Sequence, residues 1–156
     1  MKTKFLFVFS LFLALASSTI GQTKEAKIFY EFDFRSITCD EAKLWVDFFG
    51  LELHKTPESK GYIIYYGGKI NPYGNKSPRR NEAKVTMDEF MYDYQVRTRL
   101  SKNVILINGG YRENYTAQFW VVPKGVLPPS PSPTQKPKEI KFSNGIYRRG
   151  KQGEGC

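Results

Sequence analysis

The sequence predicts an α+β fold in which a mixed four-stranded sheet carries two helices on one face. Three observations predict it: short apolar runs typical of strands, two segments whose apolar residues recur every three or four positions, and a length sufficient for one domain. The elements follow in the order β-α-β-α-β-β. Strands joined through a helix favour parallel pairing, and the last two strands, which follow each other closely, suggest an antiparallel pair.

The first strand and the first helix show two different apolar periods. Residues 28–34 alternate, and the face predicted to be buried carries Ile28, Tyr30, Phe32 and Phe34. Residues 39–53 repeat at helical spacing, with Asp40 and Glu41 in the first turn, where the helix dipole favours negative charge. Gly50 is the position at which this helix is expected to bend or break.

The second half of the domain repeats this arrangement. Residues 61–66 form a continuous apolar run typical of a strand covered on both faces. Residues 81–100 have a weaker helical pattern, residues 104–107 predict a third strand that ends in a glycine turn, and residues 115–122 predict a fourth.

The N-terminal residues 1–21 have the layout of a secretory signal peptide. Lys2 and Lys4 precede an uncharged apolar run, and small and polar residues follow it at once. Cleavage after Ala16 and cleavage after Gly21 both fit this pattern. The run is shorter than the roughly 20 residues that span a bilayer. We therefore expect an exported chain, periplasmic or secreted, with no transmembrane segment after cleavage.

Beyond the signal peptide, composition divides the chain into a domain at residues 22–124, a proline-rich linker at 125–138 and a basic tail at 139–156. The linker is expected to be extended polyproline II that does not join a core. The tail offers one short hairpin around residues 143–145. Residues 124–156 hold seven basic and two acidic side chains, which favours either contact with anionic polymers or simple solvation of the tail.

Two cysteines remain after cleavage of the signal peptide. Cys39 stands at the start of the first helix, and Cys156 is the C-terminal residue. An oxidising compartment permits a disulfide between them, which would hold the tail against the domain. A free or intermolecular Cys156 is the alternative.

Five stretches of sequence resemble the peptidoglycan-associating domain at the C-terminus of outer membrane protein A. They are FYEFDF, GYIIYYGG, the DYQV that begins at Asp93, ILINGGY and RENYTAQFWVVP, which together span roughly residues 27–124. The element order is also that of the family. The resemblance implies the same fold and a groove that binds cell-wall peptide stems. In that family, an Asp after the second strand and an Arg in the second helix hold the ligand's amine and carboxylate.

The family's ligand-binding pair is not matched in this chain. Gly67, Gly68 and Lys69 follow the second strand, no acid appears before Glu82, and the arginine position falls on Thr86 or Met87. Other cations cluster around the expected groove, together with one aromatic residue that is expected to be exposed. The candidate binding residues are therefore Lys69, Arg79, Arg80, Lys84, Tyr111 and Arg112, with Lys76 nearby.

A basic rim of this kind suits peptidoglycan or another anionic envelope polymer, and an ordinary charged surface loop is the alternative. An envelope protein is a further candidate partner, whereas nucleic acid is a poor one for an exported chain. No catalytic group, cofactor or metal site is indicated. His54 lies at the far end of the helix from Cys39, the acidic pairs are adjacent in sequence, and the glycine pairs lack a phosphate-binding context.

Three functional hypotheses follow. The first is a non-catalytic envelope module that binds through the basic loop and the turn at residues 109–113. The second is a structural or interaction protein that acts through its tail, and the third is a hydrolase with an unrecognised site.

Overall fold

The structure of the protein is a computed structural model, and it describes residues 25–71, 76–98 and 103–147. The predicted order of elements is confirmed: β1 (Lys27–Asp33), α1 (Cys39–Lys55), β2 (Lys60–Gly67), α2 (Glu82–Thr98), β3 (Val104–Tyr111) and β4 (Thr116–Val122). The predicted signal peptide and Cys156 lie outside the described residues.

The four strands form one mixed sheet in the order β1-β4-β2-β3. β2 and β3 are parallel, as predicted, and β4 is antiparallel to both β1 and β2. The predicted pairing of β3 with β4 is wrong. β1 and β2 run in the same direction, and β4 lies between them, antiparallel to both. In this position β4 forms backbone hydrogen bonds with a strand on each side, whereas pairing with β3 at the edge of the sheet would give it only one neighbour.

β3 is longer than predicted, because it continues through Asn108 and both glycines to Tyr111. The reason lies in what faces Gly109. A side-chain carbon there would stand 2.8 Å from Cγ2 of Ile64 and would also overlap the ring of Tyr66. Gly109 therefore leaves room for the Tyr66 ring to lie close to β3, and it does not end the strand.

β1 departs from strict alternation near its start. The pairing with β4 shifts register between Ile28 and Tyr30, so Phe29 also turns toward the core. Ile28, predicted to be buried, is 46% exposed, because a bulge changes the face on which the following residues lie.

Both helices pack on the same face of the sheet, as predicted. α1 begins with a capping box in which Thr38 Oγ1 accepts from the Glu41 amide and the Glu41 carboxylate accepts from the Thr38 amide. It continues through Gly50 without a break. The core between helices and sheet includes Val46, Phe49, Ile63, Met87, Phe90 and Phe119. Within the described parts of the chain, no helix has the length and apolarity needed to cross a membrane.

The opposite face of the sheet, which we call the tail face, carries Glu31, Gln118, Ile64 and Tyr66, as the strand register requires. Ile64 and Tyr66 are fully buried there, although neither α1 nor α2 lies on this face. The proline-rich segment leaves β4 at Val122 and reaches Tyr66 by Ser132, whose amide donates to the Tyr66 hydroxyl at 3.0 Å. The segment is therefore hydrogen-bonded to the tail face, although most of its residues are exposed and none belongs to the hydrophobic core.

The residues after the proline-rich segment also pack on the domain. Gln135 bridges Tyr111, Pro137–Glu139 form a single 3₁₀ turn, and Ile140 is buried. The hairpin expected around residues 143–145 is not formed. Ile146 instead bridges Arg80 in parallel, because the loop before α2 offers its backbone carbonyls to this part of the tail.

Candidate binding cleft

A small cavity lies where the parallel strands β2 and β3 end and α2 begins. Its volume is about 80 Å³, and we call it the inner cavity. The carboxyl ends of parallel strands meet at one edge of a sheet, which is where ligands bind in many open α/β sheets. Its lining includes Gly67, Gly68, Asn71, Arg79, Glu82, Lys84, Asn108 and Tyr111.

The glycine pair Gly67–Gly68 at the end of β2 allows the inner cavity to form. A side-chain carbon on Gly67 would stand 2.8 Å from the Tyr111 ring, and one on Gly68 would stand 2.6 Å from the backbone nitrogen of Tyr115. The turn after β3 can therefore come close, and the Arg112 amide donates to the Gly67 carbonyl at 2.9 Å. The two strand ends form one wall of the inner cavity.

Glu82 begins α2 and provides a buried carboxylate in the other wall. Only 4% of its surface is exposed, and its Oε2 accepts from the Arg79 amide at 2.7 Å. Asn81, just before it, has a φ of 69°, a left-handed conformation that asparagine tolerates better than most residues. This turn places Glu82 and Arg79 beside each other on the inner cavity.

Arg79 is the cation best placed to meet a ligand. It is exposed, it lines the inner cavity, and within the described residues its guanidinium has no carboxylate or hydrogen-bond partner. A free guanidinium fork can hold a carboxylate by two parallel hydrogen bonds. The lining of the inner cavity therefore includes one available cation and one buried carboxyl group.

Lys84 also lines the inner cavity, but it forms an ion pair with Asp88, one turn further along α2, and the Asp88 carboxylate offsets its positive charge. The hydrogen bond to Asp88 raises the pKa of Lys84 above its ordinary value. Burial raises the pKa of the neighbouring Tyr65, with a smaller contribution from Asp88. Lys84 and Tyr65 therefore keep their protons at neutral pH, and the Lys84–Asp88 pair adds little net charge to the rim.

Lys69, Arg80 and Tyr111 are three further candidate binding residues, and each has a partner in the structure. Lys69 forms an ion pair with Glu113 at 2.7 Å. The Arg80 guanidinium lies over the Phe142 ring at 5.3 Å. Tyr111, expected to be exposed, is half-buried because its ring packs edge-on against Phe142, with centroids 5.7 Å apart. Tyr111 lines the inner cavity, whereas Lys69 and Arg80 do not.

Arg112 points away from the inner cavity, onto the tail face. Its guanidinium stacks on Tyr66, forms an ion pair with Glu31 at 2.6 Å, and donates to the hydroxyl and carbonyl oxygens of Ser132. Gln118 completes a closed ring of hydrogen bonds by donating to Glu31 at 2.7 Å and accepting from Tyr66 at 3.2 Å. Arg112 therefore fastens the tail to the sheet.

The position that the family resemblance gives to a ligand-binding arginine is occupied by core residues. Thr86 and Met87 are both buried, at 3% and 0% exposed. Neither side chain carries a charge. The cation comes from Arg79 in the preceding loop.

Several polar residues that line the inner cavity were not among the candidates, and Glu82 and Asn71 are two of them. Glu82 appeared only as the first acid after β2, and a lone acid at a helix start is ordinarily a capping residue. Asn71 has a buried Oδ1 that finds no hydrogen-bond partner in the described residues. The burial of Glu82 and the lack of a hydrogen-bond partner at Asn71 depend on the folded structure, so a single sequence could not predict them.

The remaining candidate groups lie elsewhere. Cys39 is at the start of α1 and His54 is in its last turn, and both are exposed. The pairing of Cys39 with Cys156 involves a residue outside the described ranges. No cluster of metal-ligating side chains occurs among residues 25–71, 76–98 and 103–147.

Comparisons of the chain with protein-family models, with curated proteins and with solved structures found no match.

Proposed function

We propose that the chain is an exported, non-catalytic module of the bacterial cell envelope that binds peptidoglycan through the inner cavity. The observation that carries the proposal is that Arg79 and Glu82 both line this cavity, so that it contains an available cation and a buried carboxyl group. Peptide stems of the cell wall carry free carboxylates and, in many bacteria, a free amine. The two charges of the cavity suit the two charges of such a group.

In this binding mode, Arg79 holds the ligand carboxylate and Glu82 receives the ammonium group. The pair replaces the Asp and Arg that the resembled family uses, with the acid now on the helix and the cation on the loop. A buried carboxylate with one backbone hydrogen bond gains most from a cationic partner, because its desolvation cost is otherwise only partly offset.

The arrangement of the tail favours the domain over the tail as the binding element. Residues 132–147 pack on the sheet and on the loop before α2 through backbone hydrogen bonds. Their basic side chains are therefore carried on a docked segment and not on a free arm. The remaining basic residues of the chain's end lie outside the described residues.

The proposal is tested by co-sedimentation of the mature protein with purified peptidoglycan. Arg79→Ala and Glu82→Gln are expected to weaken binding at least tenfold, and Arg35→Ala, an exposed arginine outside the cavity, is the matched control. Peptidoglycan whose stem carboxylates have been amidated is expected to bind poorly. Equal binding by Arg79→Ala and wild type, or release of soluble fragments from the polymer, contradicts the proposal.

Teichoic acid serves as the comparison polymer, because it is anionic through phosphate and has no carboxylate in this arrangement. The Glu82 carboxylate would repel a phosphate, which carries only negative charge. It would repel the end of a peptide stem less, because the ammonium group there offsets the charge of the carboxylate. We therefore expect preference for peptidoglycan. Stronger binding to teichoic acid would indicate a general anion-binding surface instead.

A further inference from the structure

The C-terminal tail contacts the loop before α2 at the two residues that flank Arg79. The Ser143 amide donates to the Pro78 carbonyl at 2.9 Å, and the Tyr147 amide donates to the Arg80 carbonyl at 3.1 Å. Ile146 also bridges Arg80. Since the backbone on both sides of Arg79 is bonded to the tail, the tail fixes the position from which this guanidinium approaches a ligand.

A second cavity lies between the loop and the tail, and we call it the outer cavity. Its volume is about 390 Å³, and it shares Asn71, Arg79 and Glu82 with the inner cavity. The far wall is made by the tail residues Ser143, Asn144 and Tyr147. The inner and outer cavities are therefore neighbours that meet at the proposed binding pair.

The surface of the outer cavity suits an extended polar ligand. Lys76 is an exposed residue that lines it. Asn71 lines both cavities, and its buried Oδ1 has no hydrogen-bond partner in the part of the chain that the structure describes. A buried acceptor without a partner is costly, and an N–H donor from a ligand removes that cost. A peptide or amino-sugar chain supplies such donors, whereas a simple anion does not.

We infer that the tail is part of the binding site: docked on the loop, it completes a second subsite in the outer cavity that holds the peptide chain extending from the group bound in the inner cavity. This inference rests on the proposed function, and it adds a specificity element from a separate part of the chain. The ligand then contacts the docked tail, so tail docking raises the affinity for the ligand. By thermodynamic reciprocity, the bound ligand stabilises the docked tail to the same extent.

The experiment uses the full mature protein and, as the probe, a muropeptide released from peptidoglycan. Tyr147→Pro removes the amide that bonds to the Arg80 carbonyl and replaces a residue of the cavity wall. Asn144→Ala alters the same wall and keeps every backbone hydrogen bond. Lys141→Ala is the control, because it removes a tail charge from an exposed position outside both cavities. Dissociation constants are measured by calorimetry.

Tyr147→Pro is expected to weaken muropeptide binding at least fivefold, the lower end of ordinary coupling between sites. Asn144→Ala gives a smaller loss in the same direction, and Lys141→Ala gives none. By reciprocity, saturating muropeptide slows hydrogen exchange of the Ser143 amide by a similar factor. These results together support a composite site.

The outcomes separate this inference from the proposed function. If Arg79→Ala loses binding while Tyr147→Pro and Asn144→Ala bind like the wild type, and Ser143 exchange is unchanged by muropeptide, the inference is overturned and the proposed function stands. If Arg79→Ala binds muropeptide like the wild type, or the wild type does not bind it, both are overturned.

Discussion

The guanidinium carbon of Arg112 lies 3.8 Å from the centroid of the Tyr66 ring. Glu31 and Ser132 bind the nitrogens of the same guanidinium, and Gly109 leaves the space that the ring occupies on the sheet. The contact joins the turn after β3 to β2 and to the proline-rich segment. It therefore explains how a segment with no regular secondary structure stays on the tail face.

Replacing Arg112 with lysine tests this contact. Lysine keeps a positive charge near Glu31 but lacks the planar fork that also reaches Ser132 and stacks on Tyr66. We expect the free energy of unfolding to fall by about 1–2 kcal/mol, the net value of one or two hydrogen bonds. Denaturant unfolding measures it, and Arg35→Lys on the exposed surface should change stability by less than about 0.5 kcal/mol. An unchanged Arg112→Lys variant would show that the guanidinium does not fasten the tail.

Gly109→Ala is expected to destabilise the protein by about 1–3 kcal/mol, because the added methyl group overlaps the Tyr66 ring, on which the Arg112 guanidinium also stacks. The comparison is Gly125→Ala, where nothing lies within 4 Å and only the positive φ of 84° opposes a side chain, so its cost is about 1 kcal/mol. Thermal or denaturant unfolding of both variants distinguishes overlap from backbone strain. Equal costs would mean that Tyr66 moves aside easily.

The N-terminal cap of α1 gives a pH-dependent prediction. Hydrogen bonds from the Thr38 amide and hydroxyl hold the pKa of Glu41 below its ordinary value of 4.5. A carboxyl group whose pKa is lowered by folding stabilises the fold above its unfolded pKa, and this contribution is lost as the pH falls through the folded value. Glu41→Gln should therefore reduce stability at pH 7 and have a smaller effect below pH 4. A difference between variant and wild type that stays constant across this range would contradict the assignment.

Thr38→Ala removes the other half of the capping box. It should cost about 1 kcal/mol at pH 7, a typical value for loss of an N-cap side chain. Denaturant unfolding provides the measurement, and Ser36→Ala, whose hydroxyl donates to the Asp33 carbonyl outside the helix, is the neighbouring control. A larger loss in the control would place the stabilising contact outside the cap.

Asp88→Asn is expected to strengthen peptidoglycan binding about two- to fivefold. Asp88 forms an ion pair with Lys84, which lines the inner cavity. Without the Asp88 carboxylate, the positive charge of Lys84 is no longer offset and can attract the ligand carboxylate. The expected gain in affinity is small because exposed ion pairs contribute little free energy. Co-sedimentation at low and high salt checks it, since the gain should shrink as salt screens the charge. Weaker binding would argue against an anionic group at this rim.

The element order and the two packed helices were predictable, because the apolar periods of β1, α1 and β2 are strong local signals. The position of β4 was not. Its link to β3, residues 112–115, crosses the end of β2, where the Arg112 amide donates to the Gly67 carbonyl. A short link usually predicts that a strand pairs with the strand before it. Here β4 instead lies between β1 and β2, where it has a hydrogen-bonded neighbour on each side.

The candidate cleft was predictable in location but only partly in composition. Arg79, Lys84 and Tyr111 do line the inner cavity, since the loop and turn that carry them follow neighbouring strands. Arg112 lies on the tail face, because its partners Glu31 and Ser132 are distant in sequence and no local pattern reports them. The docking of the tail escaped prediction for the same reason: proline-rich composition indicates backbone shape, not what the segment touches.

The most direct test of the account is backbone chemical-shift mapping of the mature protein titrated with a soluble muropeptide. The account predicts the largest changes at the amides of Gly67, Gly68, Ala83, Lys84 and Gly110, around the inner cavity, and their loss in Arg79→Ala. Changes confined to the exposed face of α1 around Leu44 and Phe48, or no changes at saturating muropeptide, would contradict it.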